Sequence, residues 1–167
     1  MDEIVCANTA FRYWRCPPQV RNLYLRLPNS EDGWRALSQA PFVTEVLKTP
    51  IIAVASPGCC NHHSGLRSTI RWEGASDAGT TIDTNLGFSV TNPLNTLFTM
   101  TRFVSQIDLV LAMYELCGWF SVFEPAPAAE MQLKMAIEEN RNSSTQDLVE
   151  LGEGEDEVPW KRVYARA

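Results

Sequence analysis

Both histidines and two of the five cysteines fall within one octapeptide, Gly58-Cys59-Cys60-Asn61-His62-His63-Ser64-Gly65. Thiolates and imidazoles are the usual ligands of structural zinc, and a cysteine beside a histidine is the pairing of a thiol nucleophile. The spacing suits neither use. Structural zinc draws its ligands from two knuckles well apart in sequence. Here all four candidates lie within five residues, and neighbouring side chains of an extended loop point to opposite sides. Cys60 with His63 makes a half-site at most, whose other ligands would have to come from Cys6, Cys16, Cys117 or a carboxylate. A nucleophilic cysteine also needs its histidine oriented by a third group, and no nucleophile signature surrounds Cys59 or Cys60. The favoured reading is a polar hairpin joining two strands. On it His62, His63, Arg67 and Arg71 form a contact surface, with no cofactor. A metal- or thiol-dependent site on residues 58–65 is the alternative.

Other chemistries lack their motifs. There is no G-x-S-x-G, no G-x-x-x-x-G-K-[ST] and no G-x-G-x-x-G. Gly152-Glu153-Gly154-Glu155 is too acidic to cradle a phosphate. Asp77 and Asp83 flank the start of an expected strand, but none of Lys48, Lys134 and Lys161 follows a strand carboxylate at the spacing of a metal-dependent nuclease. No catalytic residue is therefore assigned, and the chain is read as non-enzymatic.

Ala7, Ala10, Phe11 and Trp14 give the stripe of an amphipathic helix that Cys16-Pro17-Pro18 ends. Val20–Leu27 alternates in a way that predicts a strand with Leu23, Leu25 and Leu27 on its apolar face. Two short helical segments are expected over 30–39 and 41–47, the second with proline at its first position. Ile51–Ala55 is continuously apolar, hence a strand buried on both faces. Leu66–Trp72 alternates as a half-buried strand, and two further strands, 80–83 and 88–91, surround the Asn85-Leu86-Gly87 turn. Asn92-Pro93 opens a helix whose buried face is expected from Leu94, Leu97, Phe98, Thr101 and Val104. Ser105 and Asp108 cap a second helix that stops at Gly118, with Leu109, Ala112, Met113 and Leu116 as its stripe. Trp14, Trp72 and Trp119 fit core or element-end positions.

These elements predict an α/β or α+β domain over residues 1–123, a small mixed sheet with packed helices. Residues 124–167 follow as a linker, an exposed helix and an acidic tail expected to be mobile. The charge is uneven. Residues 1–72 carry eight basic against five acidic side chains (net +3), residues 73–123 one against five (−4), and residues 124–167 five against ten (−5). Arg12, Arg15, Arg21 and Arg26 are of the type that grips phosphate or carboxylate, yet a chain of net charge −6 is far from a nucleic-acid binder. An arginine-decorated solvent face is the preferred account, which leaves a protein as the expected partner. The best apolar run, 107–122, is interrupted by Asp108, Glu115 and Gly118, so no membrane span is expected. An acidic N-terminus without a signal pattern and an odd cysteine count point to a cytoplasmic chain with reduced thiols. The oligomeric state stays open.

The segment Asn8-Thr9-Ala10-Phe11…Trp14, the strand Ile51–Ala55, the His62–Arg71 hairpin and above all Val90-Thr91-Asn92-Pro93…Thr96-Leu97 follow a familiar order, with Tyr114-Glu115-Leu116-Cys117-Gly118 further on. Over roughly residues 4–120 the chain resembles the AbiEi-like antitoxin and regulator family of type IV toxin–antitoxin systems. It is especially similar to actinobacterial relatives of unknown function, in which a V-T-S-P-x-x-T-L motif recurs and a restriction-endonuclease-like domain often follows. Asn95 and Thr99 stand where such relatives commonly carry arginine and aspartate, which marks the motif as a folding signature. The resemblance implies a connecting or interaction domain of a bacterial, defence-associated protein. An N-terminal fragment of a nuclease-like protein is a further alternative.

Overall fold

The computed structural model describes residues 4–27, 34–55, 63–72, 79–127, 129–131 and 134–135. Cys59, Cys60, His62 and the acidic tail lie outside them. The described chain is a mixed five-stranded sheet with helices, as the sequence predicts: β1 (Ile4–Val5), α1 (Ala7–Arg15), α2 (Pro18–Arg21), α3 (Trp34–Gln39), a π-helical turn (Val43–Leu47), β2 (Ile51–Val54), β3 (Arg67–Ile70), β4 (Thr81–Asp83), β5 (Ser89–Thr91), α4 (Pro93–Met100) and α5 (Gln106–Leu116). The strand order is β3-β2-β1-β5-β4. β1 pairs antiparallel with β2 and parallel with β5, β2 pairs parallel with β3, and β4 with β5 forms an antiparallel hairpin.

β2 is paired on both edges and all four of its residues are buried, as its unbroken apolar run requires. α1 packs on β2 and carries far more than one stripe into the interior. Thr9 and Tyr13 are buried with Ala7, Ala10, Phe11 and Trp14. Tyr13 meets Trp14, Phe42 and Phe88 edge-on at centroid distances of 5.2, 6.4 and 5.7 Å, the favoured aromatic geometry.

The sequence-derived caps hold. Asn92 Oδ1 accepts from the Asn95 amide at 2.8 Å with Pro93 behind it, and Ser105 Oγ accepts from the Asp108 amide at 3.2 Å. Gly118 ends α5 with φ +75°.

Three expectations are corrected. Val20–Leu27 is not a strand: Pro18 starts the single turn α2, Val20 is buried, Leu25 is 89% exposed, and the backbone meets the β4–β5 turn at Leu27, whose amide donates to the Leu86 carbonyl at 2.8 Å. Alternation there has no neighbouring strand to pair with.

The segment between β2 and β3 is not a simple hairpin either, because those strands run parallel and the chain must cross between them. The reversal is local. His63 forms an antiparallel bridge with Ser68 around Ser64-Gly65-Leu66-Arg67, and Ser64 Oγ accepts from the Arg67 amide at 3.0 Å.

Finally, α4 is rotated from the predicted face. Thr96, Thr99 and Met100 are buried, while Leu94 is 74% exposed and Phe98 also faces out. Buried hydroxyls explain this. Thr99 Oγ1 accepts from the Ala7 amide at 3.0 Å, and Thr96 Oγ1 donates to the Thr91 carbonyl at 3.0 Å while lying 2.7 Å from Thr91 Oγ1. Satisfied hydroxyls are at home in a core that would otherwise exclude them.

Candidate functional site

The predicted contact residues divide. His63 is exposed, with Nδ1 2.7 Å from Ser68 Oγ, and this pairing laps the outer edge of β3. Arg67 is half-buried on β3 and Arg71 is exposed just beyond it, its carbonyl accepting from Arg102 at 3.4 Å. The structure brings His63 to Ser68 and Arg67 to Ser64. His62 and Cys60 are not described. Among the described residues this corner offers His63, Ser64 and Arg71 together with the partly exposed Leu66.

Of the three cysteines proposed to complete a half-site, two are enclosed and one is exposed. Cys6 and Cys16 are buried, and burial pushes both thiols up to about 12, only partly offset at Cys16 by Arg21. Their sulfurs face the Ile52 and Pro17 carbonyls at 3.8 Å. Both are fully enclosed among the core side chains, where a free thiol packs as a small apolar group. Cys117 is exposed at the far end of α5. Among the described residues no three His, Cys, Asp or Glu side chains are grouped to hold a metal ion.

Nor do Arg12, Arg15, Arg21 and Arg26 stand free as a common surface for anions. Arg12 donates to the Leu47 carbonyl at 2.8 Å, and burial followed by the neighbouring charge of Arg15 lowers its pKa. Arg15 grips Glu115 through Nε at 2.9 Å and Nη2 at 2.8 Å while lying 4.9 Å over the Phe11 ring. Arg21 lies 4.4 Å over Tyr13, and Arg26 packs on Gly87. Three of the four are fastened to their own fold by a hydrogen bond, an ion pair or a ring, in place of the solvent face expected from composition.

An open groove of about 630 Å³ lies between residues 23–27, the 36–45 segment and Ala129. Its polar lining is Arg26, Gln39 and the Tyr24–Glu45 pair, in which the tyrosine hydroxyl donates to the carboxylate at 2.6 Å. Burial, and then that bond, raises the tyrosine pKa.

Comparison with family models, with curated proteins and with solved structures finds no match. The site must be read from its own residues.

The surface that stands out is on the last two helices. α5 is QIDLVLAMYEL, with Asp108 and Glu115 as its only charges. Leu109, Ala112 and Leu116 turn inward, as predicted. Met113 does not, and a second stripe at i, i+3, i+4, i+7 (Ile107, Val110, Leu111 and Tyr114) faces outward, with Ile107 74% exposed. Gly118 folds the chain back so that the Trp119 amide donates to the Tyr114 carbonyl at 3.1 Å and the two rings meet edge-on at 5.6 Å. Trp119, predicted at a core or element-end position, is at an element end but 76% exposed.

Glu115 fixes the orientation of α5. It is 2% exposed and accepts from Arg15 and, at 3.1 Å, from the Val122 amide. With that carboxylate locked inward, the 107–114 stripe points away from the core. Sequence reading found the inner stripe and missed the outer one. Its signal was the near absence of charge around the whole circumference of α5.

Proposed function

We propose that this chain is a non-enzymatic protein-interaction module of an antitoxin-like, defence-associated bacterial regulator, and that it makes contact through the outward face of α5. One observation carries the reading: a helix that is apolar on both faces has only one of them covered among the described residues of its fold. Contiguous exposed apolar surface ringed by polar residues is the mark of a protein contact. The stripe ends in a paired tyrosine and tryptophan, the residue types that dominate binding energy at such contacts. The resemblance carried by Thr91-Asn92-Pro93 and Thr96-Leu97 supplies the antitoxin-like context.

The test is growth rescue. Where induction of the adjacent reading frame arrests growth, cells should grow when this chain is co-expressed. Rescue should fail with Ile107→Glu or Tyr114→Glu and survive His63→Ala and Cys60→Ser. Rescue that is indifferent to the α5 variants but lost with the loop variants would reject this face in favour of chemistry on residues 58–65.

A further inference from the structure

We propose that the occupant of the α5 face is a second copy of this chain, packed antiparallel about a two-fold axis between Val110 and Leu111. This rests on the reading of that face as a contact surface. Ile107, Val110, Leu111, Met113, Tyr114 and Trp119 are each between about half and three-quarters exposed. At ordinary side-chain areas they present about 700 Å², close to the roughly 800 Å² that each partner contributes to a standard interface.

The stripe is also self-complementary. Two antiparallel helices centred between positions 110 and 111 set Ile107 against Tyr114 of the partner subunit, and Val110 against Leu111 of the partner subunit. Every such pair is apolar. The one charge beside the stripe, Asp108, is held by Ser105 Oγ at 2.6 Å and lies about 110° round the helix from the axis, on the flank of the seam, so no like charges meet inside it. The same axis carries Trp119 toward the α4–α5 turn of the other copy, where Phe103 and Arg102 are exposed. An indole there gains both apolar and cationic neighbours. An isologous contact needs this kind of match of a surface with itself.

Sedimentation velocity on the full chain tests it. At about 100 µM, a concentration that populates even a modest dimer, the wild-type protein should run at twice the 18.7 kDa of one chain. Val110→Asp and Leu111→Lys, each alone, bury an unpaired charge in the seam and should weaken self-association about 30-fold or more. Mixed in equal amounts, the two variants should regain most of the dimer, because the introduced carboxylate and ammonium then face each other across the axis. Both positions are exposed in the single chain, so their circular dichroism and melting should match wild type. A wild-type protein that sediments as a monomer at that concentration overturns the proposal. So does a dimer that either variant leaves intact, or a mixture that stays monomeric. A monomeric wild type whose α5 variants still abolish growth rescue would remove the second copy and leave the contact face standing for another protein.

Discussion

Cys6 and Cys16 show how burial decides what a residue type can do. Each thiol is held up to about 12 by loss of solvent, so the native state keeps protons that the unfolded chain gives up at its ordinary thiol pKa of about 8.5. Their contribution is complete below that value and is lost as pH rises toward 12. Stability should therefore fall above about pH 9, by roughly 1–2 kcal/mol per buried thiol at about pH 10, measured by urea unfolding across pH. Tyr24, raised by burial and by Glu45, acts in the same direction at higher pH. Substituting serine at both cysteines should flatten the thiol part of the fall. In native protein, iodoacetamide mapped by mass spectrometry should modify exposed Cys117 well before Cys6 or Cys16. The sequence shows five cysteines but not which are dry, because burial is set by β1, α1 and β2 meeting in space. Arg12, Arg15 and Arg21 teach the same lesson. Their composition suggested a charged surface, whereas their partners, the Leu47 carbonyl, Glu115 and Tyr13, are distant in sequence or on the far side of a turn.

Among the elements, α1 and α5 depend on one carboxylate. Glu115 joins Arg15 to the Val122 amide from a nearly fully buried position, and Glu115→Ala would leave a guanidinium and an amide without their acceptor. Thermal unfolding should report a loss of about 2 kcal/mol, below the usual cost of a broken buried pair because Arg15 is itself partly exposed. Glu115→Gln should lose less. What was legible at this scale follows from how local the cause is. The caps at Asn92-Pro93, Ser105 and Gly118 were readable because cap chemistry involves three or four consecutive residues. The face of α4 was not. Hydropathy places Leu94 and Phe98 inside, but Thr96 and Thr99 hold partners on β5 and at the start of α1 that no local pattern reveals. β1 escaped notice because two residues carry no period. Alternation over 20–27 misled because a strand exists only where another strand pairs with it.

At the level of the whole molecule, the mixed sheet buries β2 completely while α4 and α5 present unshared apolar side chains. The class of fold was legible from strands and helices in their order; the parallel pairing of β2 with β3 was not, since direction is set by a crossing rather than by strand composition. The predicted contact residues His63, Arg67 and Arg71 lie beside a lapped sheet edge, whereas the large apolar surface is on α5. The central claim is that this surface is covered in the working protein. Carbene footprinting resolved to single side chains tests it most directly, with Leu25, 89% exposed, as the internal standard. In the assembled full chain, Ile107, Val110 and Tyr114 should label about fivefold less than Leu25 and recover on dilution, as expected for a contact that excludes water from its centre. Labelling of the α5 stripe that stays in proportion to its exposure in the single chain, roughly half to four-fifths of that of Leu25, at every concentration would contradict it.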